Sequence, residues 1–237
     1  MKTGGKRAAI TGATKGIGRA LVERFAAGGF DVAFCARTPG DVAALARDLA
    51  ARYPRQRFLG HPADLSTEEG VESFAKAVLD EPQGMDVLVN NAGVYKPCPL
   101  GDPAGREAFD LMLRTNVHSA YLLTLRVLPS MRAARRGHIF NICSIASLIP
   151  YGGGYSVSKF ALLGFSKNLR DELKNEGIRV TAVLPGAVLT PAWDGVKQPA
   201  ERFIRAEDVA EAVWSCHALS PQTVVEELLL RPQQGDF

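Results

Sequence analysis

Apolar residues in this chain fall in short dense blocks, separated by longer stretches where they recur every three or four positions. That alternation is expected of strands and amphipathic helices taking turns. Arg7–Thr11 (RAAIT) is a compact apolar run that ends in glycines and reads as a buried strand. Residues 18–27 (GRALVERFAA) carry helical spacing and stop at Gly28-Gly29. Asp31–Ala36 (DVAFCA) is the second strand, and a helix follows from Asp41 through Tyr53. Residues 57–63 form a weaker strand, and Ser66-Thr67-Glu68-Glu69 reads as a helix start, with Ser66 as N-cap and Glu69 at the capping-box position. The rhythm continues with strands at 85–89, 138–143, 178–184 and 224–230, and helices at 107–135, 155–175 and 206–219. Strands apolar on both faces, alternating with helices, predict a mostly parallel sheet covered on both sides. Right-handed crossovers then make this α/β chain a doubly wound sheet of seven strands.

Composition narrows the class without naming it. With 237 residues and 46% of them hydrophobic, the chain is too apolar for disorder, and no linker or repeat divides it; residues 1–237 are expected to form a single domain. A formal net charge of +3 is too small to imply nucleic acid, and Arg132, Arg135 and Arg136 at a helix end complement its dipole. The apolar stretch after the charged start is far shorter than a signal-peptide core, and no window resembles a membrane span. Cys35, Cys98, Cys143 and Cys216 are widely scattered. They are expected as buried, reduced thiols of a cytoplasmic protein rather than disulfides. His118 and His217 lack ligand spacing, so no metal is expected.

The chemistry lies in a few spaced motifs. Thr11-Gly12-Ala13-Thr14-Lys15-Gly16-Ile17-Gly18 joins the first strand to the first helix, where glycines allow close approach to a pyrophosphate held at the helix N-terminus. Its spacing is not the usual G-x-G-x-x-G. Tyr155 and Lys159 stand at i and i+4, on one helix face. A tyrosine can donate a proton to a developing alkoxide, and a nearby cation is expected to lower its pKa from about 10. Ser144 closes the strand before them, at the edge where such sheets present ligands, with Ser147 as a second candidate. Cys35-Ala36-Arg37-Thr38 contains no acid for a ribose 2′-hydroxyl, whereas Arg37 with Lys15 suits a 2′-phosphate. Asparagine is a poor interior helix residue, which sets Asn116 apart.

The variant glycine spacing, Asn90-Asn91-Ala92-Gly93, Tyr155-Ser156-Val157-Ser158-Lys159, Asn116 and Pro185-Gly186, in this order from Thr11 to about Pro232, resemble the short-chain dehydrogenase/reductase family. The resemblance implies a Rossmann-type sheet, NADP(H) as cofactor, and reduction of a ketone or aldehyde with Tyr155 as general acid. It also implies Ser144 on the substrate oxygen, Lys159 on the nicotinamide ribose and Asn116 holding a relay water. Cofactor contacts are implied at Gly12, Thr14, Lys15, Gly16, Ile17, Gly18, Arg37, Asp64, Leu65, Asn91, Ala92, Gly93, Tyr155, Lys159, Pro185, Gly186, Val188 and Thr190. Ser144 stands eleven positions before Tyr155, closer than the family usually shows. The substrate pocket is expected from 94–97, 148–151 and a short segment at about 191–205, with Tyr151 and Trp193 bringing aromatic character beside Ser144. The run 223–236 resembles sepiapterin-reductase-like members, in which a late acid reaches the pterin. A 3-oxoacyl-carrier-protein reductase, its acidic carrier meeting the three arginines, and a non-catalytic NADP(H) sensor are the alternatives. In this family the 107–135 and 155–175 helices pair between subunits, so a homodimer or homotetramer is expected.

Overall fold

The computed structural model describes residues 5–80, 84–193 and 195–236. Residues 1–4 of the charged start, and Asp194 within the segment expected at 191–205, lie outside the described residues. Seven strands form one sheet: β1 (Arg7–Thr11), β2 (Asp31–Ala36), β3 (Phe58–Pro62), β4 (Val87–Asn90), β5 (Gly137–Ile142), β6 (Ile178–Pro185) and β7 (Glu227–Leu230). Their spatial order is β3-β2-β1-β4-β5-β6-β7, and every neighbouring pair is parallel. The doubly wound expectation therefore holds, and the sheet is parallel throughout.

Neighbouring residues of a strand point to opposite faces, and the two faces carry separate cores. Ile10, Phe34, Val89 and Phe140 meet α1 (Gly16–Ala27), α2 (Pro39–Arg52) and α7 (Ala206–Ala218) through Phe25, Leu45 and Val213. Ala9, Ala33, Leu88 and Ile139 meet α3 (Glu68–Leu79), α5 (Ser119–Ala134) and α6 (Gly154–Leu173) through Phe74, Val127 and Leu169. The central strands are buried on both faces. The two edge strands are not: Leu59 on β3 and Leu229 on β7 are exposed, because an edge strand lacks a neighbour on one side. β7 is also shorter than the run 224–230.

Three boundaries differ in ways that matter. The helix expected at 107–135 is two helices, α4 (Arg106–Leu113) and α5, joined by a wide π turn over Arg114–His118 that contains Asn116. Such turns insert where a side chain competes with the helical ladder. Thr67, not Ser66, caps α3, its hydroxyl accepting the Gly70 N–H at 3.1 Å. Ser66 instead gives its own N–H to the Asp64 carboxylate at 3.0 Å. β5 stops at Ile142, so Ser144 lies just beyond the strand as cap of a short 3-10 turn, Ile145–Ser147.

His138, on β5, is fully buried; its Nε2 lies 2.8 Å from the Thr181 hydroxyl and its ring stacks on Phe140. Burial, with the Arg179 and His217 charges, holds it well below the usual histidine range. His217, ringed by Phe25, Phe30 and Trp214, is pushed down to about 4 by burial first, then by Arg179 and Lys6. A folded-state pKa below the unfolded value of about 6.5 stabilises the fold above that pH, and the contribution is lost as pH falls toward the folded value. Urea denaturation between pH 7 and pH 4.5 is expected to show falling stability, by at most about 1.4 kcal/mol per pH unit for each histidine. His217→Leu should flatten this slope, and an unchanged slope would remove His217 from the account.

Candidate active site

In a parallel sheet of this order the chain leaves β1 and β4 in opposite directions, opening a crevice at their carboxyl ends. The turn after β1 is built to let another group approach. Gly12 and Gly16 have φ of 64° and 52°, in the left-handed region that favours glycine. A Cβ on Gly18 would stand 2.1 Å from the Gly12 carbonyl oxygen, so α1 can pack this closely only with glycine there. Two side chains clamp the crevice. The Thr11 hydroxyl accepts the backbone N–H groups of Asn91 at 2.9 Å and Ala92 at 2.8 Å. The Asn91 amide donates to the Thr11 and Gly12 carbonyls at 2.8 and 3.0 Å. Thr11 was not expected among the site residues; its signal is a polar residue closing an otherwise apolar strand.

Of the expected cofactor positions, Ile17, Asn91, Gly93, Tyr155, Lys159, Pro185, Gly186, Val188 and Thr190 line one cleft. Thr14 and Ile17 lie in and after the turn, and the free N–H groups at the start of α1 can hold an anionic diphosphate. Lys15 is exposed, its ammonium 3.9 Å from the Asp41 carboxylate, and Arg37 is exposed directly after β2. Asp64 is exposed after β3, whereas the Leu65 side chain is buried in the α3-side core. On the far wall, Pro185, Gly186, Val188 and Thr190 line the cleft, and the Thr190 methyl would be 2.8 Å from a Cβ on Gly16.

The crevice widens into a cleft of about 620 Å³, where Ser144, Tyr155 and Lys159 come together with Asn91 and Gly93. Lys159 is buried, its ammonium donating to the Ile142 carbonyl at 2.8 Å and lying 5.7 Å from the Tyr155 ring centre. Desolvation pulls its pKa down to about 8. Tyr155 departs from expectation. Burial pushes its phenol up to about 12, and hydrogen bonding to the Ser144 hydroxyl only partly opposes this. No lowering by Lys159 accompanies this rise; its ammonium donates instead to the Ile142 carbonyl.

Asn116 is buried behind these groups. Its Oδ1 accepts the Val94 N–H at 2.7 Å, and its Nδ2 donates to the Val94 carbonyl and the Ser158 hydroxyl, each at 3.0 Å. A Cβ on Gly93 would lie 3.4 Å from the Asn116 Oδ1 and 3.6 Å from the lysine Nζ, so glycine keeps this corner open. Ser147 is turned away: its hydroxyl donates to the Lys159 carbonyl at 2.9 Å, inside the core. Of the expected pocket segments, Val94, Tyr95, Ile149, Tyr151, Ala192, Trp193 and Val196 face the cleft. Phe203 stands edge-on behind Trp193 at 5.5 Å. Cys143, Ile145 and Ala187 also line it, without a sequence signal beyond their neighbours. Asp236, the last acid of the chain, reaches the cleft too and would sit 2.7 Å from a Cβ on Gly186. Among the described residues no group of His, Cys, Asp or Glu could hold a metal, and no helix is long and apolar enough to cross a membrane.

A doubly wound sheet whose switch-point cleft holds a serine, a tyrosine and a lysine defines a class, and comparison with known proteins places the chain within it. The family model for short chain dehydrogenases matches residues 6–201. A curated relative, sepiapterin reductase of Chlorobaculum tepidum, is 32% identical over 96% of each chain. Among solved structures, an alcohol dehydrogenase from the archaeon Thermococcus sibiricus, complexed with 5-hydroxy-NADP, superposes with a TM-score of 0.88 at 31% identity, covering 96% of this chain and 97% of that one. L-sorbose reductase from Gluconobacter frateurii, complexed with NADPH and L-sorbose, gives 0.86 at 31% identity, covering 95% of each. The chain belongs to the short-chain dehydrogenase/reductase family of oxidoreductases.

Asn116→Leu leaves the N–H and carbonyl of Val94 without their partner and removes one donor from the Ser158 hydroxyl, which still donates to the Tyr155 carbonyl. It is expected to cost about 2–4 kcal/mol of stability in chemical denaturation. A loss below about 1 kcal/mol would show that water replaces all three bonds.

Proposed function

We propose that this chain is an NADPH-dependent carbonyl reductase, a single NADP-binding unit spanning 1–237. The observation that carries the reading is the meeting of Ser144, Tyr155 and Lys159 in one cleft at the switch point. NADPH, when bound, supplies the hydride to the carbonyl carbon of a ketone or aldehyde. Ser144 hydrogen-bonds the substrate oxygen, and Tyr155 passes its phenolic proton to that oxygen as the alkoxide forms. A phenol held at about 12 stays protonated near neutral pH, the form that reduction needs. Lys159 positions the nicotinamide ribose, and Asn116 holds the Gly93–Val94 corner in place beside it.

Several features support NADP(H) over NAD(H). No acid follows β2 at the ribose position; Arg37 and Lys15 are both exposed there, and similar proteins were solved with NADP or NADPH bound. The small-molecule pocket lies against Ser144, Tyr151 and Trp193. Pairing of two or four copies through the 107–135 and 155–175 helices is supported by the exposed Tyr121, Leu125 and Phe160 on those faces. Four free, buried cysteines suit a reducing cytoplasm.

One narrower reading has an observation of its own. Asp236 at the cleft, where it is exposed and paired with Arg231, supports a sepiapterin-type pterin carbonyl reductase, since a carboxylate can accept the N–H groups of a pterin. For the acyl-carrier reading, two of the three arginines have acidic partners, Arg132 with Glu176 and Arg136 with Asp86, and all of these groups are on the surface or near it.

Tyr155→Phe is expected to bind NADPH within about twofold of the parent while losing on the order of 10²–10⁴ in kcat across a panel of ketones and aldehydes. Full turnover by that variant would take Tyr155 out of the role, and a parent that consumes no NADPH with any carbonyl would favour the sensor. Replacing both Lys15 and Arg37 by alanine should raise the KM for NADPH on the order of tenfold while leaving that for NADH within twofold. Equal changes for both cofactors would refute the 2′-phosphate assignment.

A further inference from the structure

Tyr155 sits in the first turn of α6. Gly153, the residue before the helix, has φ of 58° and no side chain to cap it, and no acid stands in the first turn. Three consecutive glycines, Gly152 to Gly154, lead into it. The Tyr155 N–H donates to the Gly152 carbonyl at 3.2 Å, which holds the backbone, but proton transfer also requires the ring to face the substrate oxygen. Misplacement by about 1 Å can cost on the order of 100-fold in rate.

Support arrives from elsewhere in the chain. The Tyr95 ring lies edge-to-face against Tyr155, with centroids 4.9 Å apart and an interplanar angle of 86°. The same ring stacks on Tyr151 at 5.9 Å and 23°. Edge-to-face pairs at this separation are favourable beyond the area they bury. Gly152 makes room for the arrangement: a Cβ there would lie 2.8 Å from the Tyr95 Cε2 and 3.4 Å from the Tyr155 Cβ. The backbones are joined as well, through a parallel bridge between Cys98 and Gly153 and a Gly154 N–H that donates to the Cys98 carbonyl at 3.2 Å. The segment after β4 and the short connection from Ser144 to Tyr155 therefore form one assembly, with Tyr95 at its centre.

We propose that Tyr95 is a positioning residue for the proton donor, its ring bracing the Tyr155 phenol toward Ser144 and its contact with Tyr151 anchoring the shortened 144–155 connection. The inference rests on the reading of Tyr155 as general acid. Tyr95 acts through Tyr155 rather than on the reacting atoms.

The test uses the full-length enzyme and separates kcat from KM for a small aliphatic ketone and for an aryl ketone. Tyr95→Leu is expected to lower kcat at least tenfold for both, with KM for NADPH unchanged and a far-UV spectrum like the parent's. Tyr95→Phe keeps the ring and should restore kcat to within about threefold of the parent. A Tyr95→Leu enzyme with parental kcat and only a raised ketone KM would make Tyr95 a wall of the substrate pocket and overturn the proposal. So would failure of Tyr95→Phe to restore kcat. Should Tyr95→Leu fail to fold, Tyr95→Phe and Tyr95→Trp replace it; parental kcat in Tyr95→Trp, whose larger ring cannot occupy the same slot, would also overturn the brace. Tyr155→Phe run alongside separates the two failures: an inactive Tyr155→Phe with a fully active Tyr95→Leu removes the brace and leaves the acid in place, whereas an active Tyr155→Phe removes both.

Discussion

The cross-tie between Thr11 and Asn91 is the interaction on which the site depends. It joins the carboxyl ends of β1 and β4, the two strands at which the chain reverses its winding direction. Backbone groups at such strand ends have lost their ladder partners and must be satisfied some other way. Here a threonine hydroxyl accepts two N–H groups and an asparagine amide donates to two carbonyls, so these four backbone groups are paired where the strands part. The glycine turn is held against one wall of that crevice, and Gly93, Asn116 and Lys159 against the other.

Behind the cleft the same logic is repeated in a buried polar ladder. Asn90 donates to the Asn141 side chain at 2.8 Å and to Thr124 at 3.2 Å, and Asn141 donates to the Ser166 hydroxyl at 2.8 Å. These bonds link β4, β5, α5 and α6 through side chains as well as through packing, and they fix the rotation of α6 about its axis. That rotation decides where Tyr155 and Lys159 point. Low polarity around them then governs their protonation. With no carboxylate among its interactions, Lys159 is pulled toward neutrality, and the phenol is kept protonated by the same desolvation.

Much of this was legible along the chain. The seven-strand alternation follows from period alone, because a strand buried on both faces must be apolar throughout and a covering helix must be apolar on one face. The pairing of Tyr155 with Lys159 follows from helical spacing, and the place of the glycine turn from the residues that a tight turn requires. Where the reading missed, a longer-range contact had overridden the local pattern. Asn116, set apart in the sequence as a poor interior helix residue, does sit in a π turn, but that its side chain pairs with the backbone of Val94 was not legible. Thr67 takes the cap of α3 from Ser66 because Asp64 claims the Ser66 N–H.

Sequence by itself determined the order of elements, the family to which they belong and the residue types able to move a proton or hold a phosphate, since these depend on spacing within one segment. Only the tertiary structure decided which of two serines faces the cleft, that burial raises the Tyr155 pKa, and that the Tyr95 ring packs edge-on against Tyr155. Each of those depends on segments far apart in the chain being brought within a few ångströms. Hydrogen bonding, desolvation and ring contact act only across such distances, and no local pattern of apolar and polar residues encodes them.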